Sequence, residues 1–168
     1  TYRDLNIALA NEITKISKNL DINVLDVIEM ANKHPRVNIH SPGPGVGGHC
    51  LAVDPYFIIA KDPEHSPLIQ TGRKVNRSMP EYVVENVKRI LSDVEDAKVS
   101  VFGLTYKGDV DDIRESPAFD IYKLLQEESL EVTAYDPHVE LDFVEKDIKN
   151  ATENASLVLI LSDHSEFK

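Results

Sequence analysis

The only cysteine of this 168-residue chain follows its densest run of glycines. Four of the seven glycines lie between Gly43 and Gly48, shortly before Cys50. Glycine at this density lets backbone amides approach a ligand or the sulfur, and Asp54-Pro55 predicts a helix N-terminus close by. Both features favour the thiolate, the reactive form of cysteine, so Cys50 is a candidate nucleophile. The alternative is a small buried apolar residue, the common state of a free cysteine.

Asp54 has two candidate roles. An aspartate before proline is a frequent N-cap, and the pattern favours that role. The same carboxylate could also orient a water molecule near the sulfur of Cys50. His34, His40 and His49 lie nearby in the chain, but their spacing matches no paired metal-ligand motif, so no metal site is predicted. A cysteine hydrolase with His40 or His49 as its base is a further alternative, although no third orienting residue is evident.

A second set of candidates lies in the polar loop that follows residue 102. Gly103 and Gly108 have the glycine spacing of a phosphate-binding P-loop, but Asp109-Val110 occupies the place of its Lys-Ser/Thr pair. Lys107 and Arg114 remain as candidates for a phosphate clamp, assisted by the N-terminus of a following helix. The alternative is that both bases form solvated salt bridges with acidic residues of the same loop, which are Asp109, Asp111, Asp112 and Glu115.

The residues around the cysteine belong to a mostly helical region. Apolar side chains recur every three or four positions from Leu5 to Leu20, which predicts a first helix, and a second helix capped by Asp21 or Asn23 follows. A cap residue followed by proline predicts three further helix starts, at Asp54-Pro55, Ser66-Pro67 and Ser116-Pro117.

The period of the pattern changes after Ala97. Short apolar runs at Val99–Gly103, Glu131–Asp136 and Leu157–Leu161 predict strands, and the Ser116 helix lies between the first two. Strand, helix and strand at this spacing indicate a parallel sheet in an α/β domain. Because ligands bind beyond the carboxyl ends of such strands, we expect the ligand site in residues 104–115 and 136–138.

The charge is distributed unevenly along the chain. The formal net charge is −11, and residues 93–168 hold 19 of the 29 acidic but 7 of the 18 basic residues. This break predicts two domains, 1–92 and 93–168, that meet near Ser92–Asp96. An acidic surface disfavours nucleic acid and anionic membranes as partners. Without a predicted bilayer span, signal peptide or internal disulfide, the expected location is cytoplasmic.

Two motifs together resemble the UDP-glucose/GDP-mannose dehydrogenase family. The first lies in residues 35–57 and contains Gly-Gly-His-Cys-Leu-Ala-Val-Asp-Pro-Tyr-Phe. The second lies in residues 102–117, beginning Phe-Gly-Leu-Thr-Tyr-Lys and ending Asp-Asp-Ile-Arg-Glu-Ser-Pro. They occur in the family's order with a helical stretch between them. Ala52-Val53 stands where many members have Pro-Lys, which favours the N-acetylhexosamine branch of the family.

The resemblance implies a helical central domain that forms homodimers, followed by a Rossmann-like, parallel-sheet domain that binds a UDP-sugar. The implied activity is the NAD-dependent, two-step oxidation of the C6 alcohol of a UDP-N-acetylhexosamine to a uronic acid. The family's N-terminal NAD domain is not in this sequence, and the third domain is expected to be truncated. The implied NAD-binding part is therefore missing, and we expect the chain alone to be inactive.

The resemblance also assigns roles to individual residues. Cys50 would form a thiohemiacetal and then a thioester, and Asp54 would position the hydrolytic water. The remaining implied contacts are to the substrate from Arg36, Gly47, Gly48 and Lys107, with Arg36 reaching a neighbouring subunit's sugar nucleotide, and to the NAD phosphates from Arg114. The alternative function is a binding or dimerisation module without chemistry, in which Cys50 packs and Asp54 caps a helix.

Overall fold

A computed structural model describes residues 1–167 of the chain. They form two compact units, Thr1–Met79 and Pro80–Lys168. The division therefore lies before the Ser92–Asp96 segment at which the charge changes. No helix among the described residues is both long and apolar enough to cross a lipid bilayer.

Four helices form the first unit: α1 (Tyr2–Asn19), α2 (Val24–Asn32), α3 (Asp54–Lys61) and α4 (Pro67–Arg77). The first two helix predictions are confirmed, and the side chain of Asn23 caps α2 by accepting a hydrogen bond from the backbone N–H of Leu25 at 3.0 Å. Helix α1 packs on α4, but with a different face from the apolar one: Leu9, Ile16 and Leu20 are exposed.

The buried face of α1 combines alanines with polar side chains, and the buried side of α4 is polar too. Asp4 and Arg73 form an ion pair at 2.6 Å, and both side chains are almost fully buried. Asn76 donates to the Asp4 carboxylate at 2.8 Å and accepts from the Nδ2 of Asn11 at 3.0 Å. This network determines which side of α1 faces inward.

The Pro- and Gly-rich segment between α2 and α3 has no regular structure and is held by asparagine side chains. Asn6 accepts a hydrogen bond from the backbone N–H of His40 at 2.8 Å. Asn11 accepts from the backbone N–H of Gly43 at 2.9 Å. Their side chains replace the partners that a regular element would provide, so the loop leading to Cys50 has a defined path.

The second unit contains helix α5 (Met79–Ile90), which begins at the unit boundary, and a four-stranded sheet with two further helices. Along the chain the elements are β1 (Lys98–Phe102), α6 (Pro117–Glu127), β2 (Glu131–Tyr135), β3 (Val144–Glu145), α7 (Ile148–Thr152) and β4 (Leu157–Ile160). All pairs are parallel and the order is β3-β2-β1-β4. The predicted α/β domain is confirmed; β3 and α7 are additional elements that the pattern did not predict.

Helix α5 belongs with the sheet because its apolar face packs in the sheet's core. Val84, Val87 and Leu91 are buried in one cluster with Val99 and Val101 of β1. This packing explains why the compact units divide at Met79, although the charge pattern changes only after Ser92. Among the residues that the structure describes, the edge strand β4 pairs with β1 alone, and its Val158 and Ile160 are 43% and 56% exposed.

Candidate functional site

Cys50 lies in a turn immediately before α3 and is exposed. Its carbonyl accepts hydrogen bonds from the backbone N–H groups of Val53 at 3.1 Å and Asp54 at 2.8 Å. Gly48, two residues earlier, has φ +85°, a left-handed conformation that glycine adopts without strain. The alternative that Cys50 is a buried packing residue is therefore wrong, and its sulfur is accessible to a reagent or substrate.

Cys50 and Asp54 line one cavity of about 310 Å³ within the first unit. Cys50 and Asp54, four residues apart in the sequence, thus lie at one site. Arg3 also lines the cavity. It was not predicted from the sequence, because no local pattern brings the start of α1 to the cysteine turn. The full lining is Thr1, Tyr2, Arg3, Cys50, Leu51 and Asp54.

Arg3 supplies a positive charge to this cavity. The carboxylate next to it in sequence, Asp4, is turned inward and bound by Arg73. Among residues 1–167, the guanidinium of Arg3 has no hydrogen-bond or ion-pair partner. The cavity thus combines a thiol, a carboxylate and a positive charge that can stabilise an anion.

Asp54 is not the cap that the sequence pattern favoured. It is the first residue of α3, Val53 stands in the N-cap position, and no side chain caps this helix. The Asp54 carboxylate is exposed and makes no hydrogen bond to another described residue. It is therefore available to orient water in the cavity.

Of the other candidates in the first unit, Arg36 is exposed and Gly48 is buried, while Gly47 is half-buried. Gly43, Gly45 and Gly48 match the letters of a dinucleotide fingerprint, but no strand precedes them. That fingerprint requires a strand before its first glycine, so this loop is not a Rossmann phosphate turn.

Lys107 lies beyond the carboxyl end of β1, where the sequence predicted a ligand site. Strands β2 and β4 flank β1 on opposite sides, so the sheet order reverses direction at β1, which is where open α/β sheets bind ligands. Lys107 is exposed, and its ammonium group has no ion-pair partner among the described residues. For Lys107 the structure shows no loop salt bridge.

Arg114 behaves differently from Lys107. Its Nε and Nη2 donate to the two carboxylate oxygens of Asp112 at 2.9 and 2.7 Å. Hydrogen bonding to Asp112, with its negative charge, raises the pKa of Arg114. The loop salt bridge that the sequence left as an alternative is therefore present at Arg114.

Three loops meet at the carboxyl edge of the sheet, and the buried Asp136 joins them. One Asp136 oxygen accepts from the backbone N–H of Leu104 at 2.6 Å and lies 3.1 Å from Nε2 of His164. The other accepts from the backbone N–H of His138 at 2.9 Å. The sequence predicted the loops after β1 and β2. It missed the loop after β4, although the third apolar run implied a strand end there.

One group of side chains in the described residues has metal-ligand chemistry, formed by Asp109, His138, His164 and Glu166. Both ring nitrogens of His164 are already engaged, Nδ1 by the backbone N–H of Asp109 at 2.9 Å and Nε2 by Asp136. Hydrogen bonds from Ser165 lower the pKa of Asp109 by stabilising its carboxylate. Asp109 and His164 are thus held by internal hydrogen bonds, whereas His138 Nε2 lies 3.3 Å from a Glu166 carboxylate oxygen and makes no hydrogen bond among the described residues.

Comparisons with known proteins match both units. Residues 1–78 match the central-domain model of the UDP-glucose/GDP-mannose dehydrogenase family, and residues 100–168 match that family's UDP binding domain model. A UDP-N-acetyl-D-mannosamine dehydrogenase from Methanocaldococcus jannaschii is 51% identical over 170 residues, covering 100% of this chain and 39% of its own length.

Two further relatives are informative. An NDP-N-acetyl-D-galactosaminuronic acid dehydrogenase from Ralstonia solanacearum is 42% identical over 99% of this chain and 41% of its own length. The solved UDP-N-acetyl-mannosamine dehydrogenase Cap5O from S. aureus is 77% identical with a TM-score of 0.94, over 100% of this chain and 40% of that one. The chain thus spans about two fifths of the length of these relatives.

Proposed function

Because the chain belongs to the UDP-glucose/GDP-mannose dehydrogenase family, we propose that it supplies the nucleophile and part of the nucleotide-sugar site of an enzyme that oxidises a UDP-N-acetylhexosamine. The proposed substrate is UDP-N-acetyl-D-mannosamine, since relatives 51% and 77% identical to this chain carry that sugar in their names. The proposed product is the corresponding uronic acid. The observation that carries the proposal is the exposed Cys50 in one cavity with Asp54.

In the proposed reaction the C6 alcohol loses a hydride and a proton and becomes an aldehyde. The Cys50 thiolate adds to the aldehyde carbon, and the carbonyl oxygen takes up a proton to give a thiohemiacetal. Loss of a second hydride and that proton gives a thioester. Water then adds to the thioester carbon, the carbon–sulfur bond breaks, and the carboxylate forms as the thiol leaves. A covalent adduct suits two successive oxidations because the aldehyde never leaves the site.

Asp54 is proposed to orient the water that attacks the thioester. Its free carboxylate accepts a proton from that water at the edge of the Cys50 cavity. Arg3 faces the same cavity and offers positive charge to the oxygen on which negative charge develops. The two charged groups thus act on different atoms of the same intermediate.

The nucleotide part of the substrate is assigned to the second unit. We assign Lys107 to the UDP phosphates because it is an exposed, unpaired cation at the ligand-binding edge of the sheet. Gly47 and Gly48 are assigned to the sugar side because they immediately precede the Cys50 turn. Arg36 is assigned to a neighbouring subunit's sugar nucleotide in a homodimer, for which the exposed apolar side chains of α1 provide a surface.

NAD is the proposed cofactor, and when bound it accepts the hydride in both oxidations. Arg114 fits a contact to its phosphates, since the guanidinium is 68% exposed although Asp112 holds two of its nitrogens. Asp112 holds Nε and Nη2 and so fixes the plane of the guanidinium. The assigned contribution of Arg114 is therefore binding, with no role in proton transfer.

The test is a chimaera in which this chain replaces the corresponding part of the 77% identical S. aureus enzyme. With UDP-N-acetyl-D-mannosamine and NAD we expect NADH and uronic acid, and Cys50→Ser should lower acid formation by about a thousandfold or more. Asp54→Asn should instead accumulate a substrate-derived adduct on Cys50, visible by intact-protein mass spectrometry. Asp26→Asn, an exposed carboxylate in the first turn of α2, is the matched control and should behave as the parent.

Undiminished acid formation by the Cys50→Ser chimaera would contradict the covalent mechanism. A chimaera that binds UDP-sugar but never yields NADH would instead support the alternative of a binding module. A Cys50-dependent hydrolysis of thioesters or amides without NAD would favour the cysteine hydrolase.

A further inference from the structure

The buried side chain of His164 contacts the loop of Lys107 both before and after Lys107 in the sequence. Two residues before it, Thr105 places Oγ1 3.3 Å from Nε2 of His164, and the same hydroxyl donates to the carbonyl of Lys107 at 2.8 Å. Two residues after it, the backbone N–H of Asp109 donates to Nδ1 of His164 at 2.9 Å. His164 is fully buried, so these contacts are shielded from water.

The contacts determine the protonation state of His164. Its Nδ1 accepts a hydrogen from a backbone amide, so that nitrogen carries no proton. Its Nε2 lies 3.1 Å from a carboxylate oxygen of Asp136 that can only accept. The ring is therefore neutral with its proton on Nε2, and the Asp109 contact depends on that tautomer.

The backbone next to His164 also packs closely against Gly108, the residue that follows Lys107. A Cβ on Gly108 would lie 2.6 Å from the carbonyl oxygen of Asp163, next to His164. Asp109 itself has φ +59°, and its carboxylate accepts from the backbone N–H and the hydroxyl of Ser165 at 2.7 and 2.9 Å. A strained residue persists where surrounding contacts over-determine it. The residues on each side of Lys107 are thus fixed, whereas Lys107 is exposed and unpaired.

We propose that His164, neutral with its proton on Nε2, is the positioning residue that holds Lys107 towards the diphosphate of a UDP-sugar. The proposal rests on the assignment of Lys107 to UDP made above. A lysine on a rigid loop loses less conformational freedom when it binds a phosphate, so the buried imidazole contributes to affinity without touching the ligand. Asp136 fixes the ring in turn, through Nε2.

The first test measures the loop itself in the chain as it exists. Amide hydrogen exchange should show the Asp109 N–H protected, and nitrogen NMR should show His164 neutral with the proton on Nε2. His164→Phe keeps the ring volume but removes both hydrogen bonds, so Asp109 should exchange at least about tenfold faster. His164→Asn retains an acceptor near the Nδ1 position and should restore the protection, whereas His164→Gln should not.

The second test measures UDP affinity by titration calorimetry on the same variants. We expect His164→Phe and His164→Gln to weaken UDP binding about tenfold or more, and His164→Asn to stay within about threefold of the parent. Lys107→Ala should weaken UDP binding while leaving Asp109 protected. Leu125→Ala removes buried volume from α6 of the same unit and makes no hydrogen bond to these loops, so it controls for general destabilisation and should change neither readout.

Unchanged protection of Asp109 in His164→Phe, or a proton on Nδ1, would overturn the inference. So would full UDP affinity in a variant whose Asp109 has lost protection. A parent chain with a protected Asp109 that does not bind UDP would instead overturn the proposed UDP site, since the exchange result would still identify His164 as the residue that holds the loop.

Discussion

Arg3 and Cys50 meet in one cavity although they are distant in sequence. The first belongs to α1 and the second to the turn before α3, and the two are brought together by the packing of the helical unit. Because Asp4 is sequestered by Arg73, the charge of Arg3 is not cancelled by its sequence neighbour. The positive charge that Arg3 brings to the cavity of Cys50 therefore lies outside the buried Asp4–Arg73 ion pair.

Arg3→Gln should change how Cys50 discriminates between charged and neutral reagents. A nearby cation attracts anionic iodoacetate but not neutral iodoacetamide, so we expect the ratio of the two alkylation rates to fall about two- to fivefold. Cys50 is the only cysteine, so mass spectrometry reports on one site. Lys18→Gln, an exposed cation at the far end of α1, should leave the ratio unchanged. If the ratio of alkylation rates in Arg3→Gln equals that of the parent, the charge of Arg3 does not act on the Cys50 thiol.

The pKa values of Tyr56 and Tyr122 are shifted in opposite directions. Burial opposes ionisation of Tyr56, but Arg73 and Arg77 outweigh it and lower its pKa, whereas burial raises the pKa of Tyr122. Ultraviolet absorbance should show Tyr56 deprotonating before Tyr122, and Tyr56→Phe and Tyr122→Phe should each delete one phase. Because the pKa of Tyr122 is higher in the folded state, its stabilising contribution is present below pH 10 and is lost as pH rises through that higher value.

Cys50 shows how far residue-scale prediction could go. The glycines before it and Asp54 after it are local signals, so the sequence predicts both Cys50 and Asp54 as candidate site residues. His164 and Arg3 were missed because their roles depend on contacts with segments far away in the chain, which no local spacing encodes. The cap role predicted for Asp54 was wrong for a different reason. An aspartate before proline marks a helix start only to within a residue, and here the helix begins at Asp54 itself.

At the scale of elements, the carboxyl ends of β1 and β4 are held together by a close approach at Gly103. Its φ is +82°, and a Cβ there would lie 2.6 Å from the Cβ of Ser162 and 2.8 Å from the Ser162 backbone nitrogen. Neither the conformation nor the space suits a side chain. The two loops that carry Lys107 and His164 leave the sheet from this point.

Gly103→Ala should therefore destabilise the second unit by about 1–3 kcal/mol and weaken UDP binding. Denaturant unfolding monitored at the sheet would measure the first effect and calorimetry the second. Gly43→Ala is the matched control, because its added Cβ would meet nothing closer than 3.9 Å, and it should be close to neutral. A Gly103→Ala variant as stable as the parent would show that the β1 and β4 ends can separate freely.

Elements were predicted well where one signal dominated. The helical period predicted α1 and α2, and β-rich runs predicted β1, β2 and β4. The two-residue β3 was too short to show a period, and α7 was too short to bury an apolar face. The burial of α1 was not predicted because its inward side carries Asp4 and Asn11, and buried polar networks do not resemble an apolar stripe.

At the scale of the whole molecule, the chain carries a candidate nucleophile in one unit and a candidate nucleotide-binding residue in the other, and it spans about two fifths of the length of its relatives. The charge pattern changes after Ser92, whereas the core that includes Val84 and Leu91 places the division of the two compact units earlier, at Met79. Charged side chains lie mainly on the surface, so their distribution along the chain does not report where the buried core of each unit begins.

The 168-residue chain by itself should bind UDP but produce no NADH from UDP-N-acetyl-D-mannosamine and NAD. Its only G-x-G-x-x-G letters lie in the loop before Cys50, where no strand precedes them, so the nicotinamide lacks a Rossmann turn that would hold it beside the sugar. Nicotinamide absorbance during incubation measures the outcome, with the chimaera as positive control. NADH formation by the purified chain that is abolished by Cys50→Ser would contradict this expectation.

The two edge strands of the sheet, β3 and β4, differ in how much backbone they expose to other molecules. At one edge the two-residue β3 presents little backbone for pairing, and natural sheets use such short edge strands to avoid association with other chains. At the other edge, the four residues of β4 have no strand partner on their outer side within residues 1–167, and Val158 and Ile160 on this strand are exposed. Intermolecular strand addition, and with it precipitation from concentrated solutions, would therefore start on the β4 side.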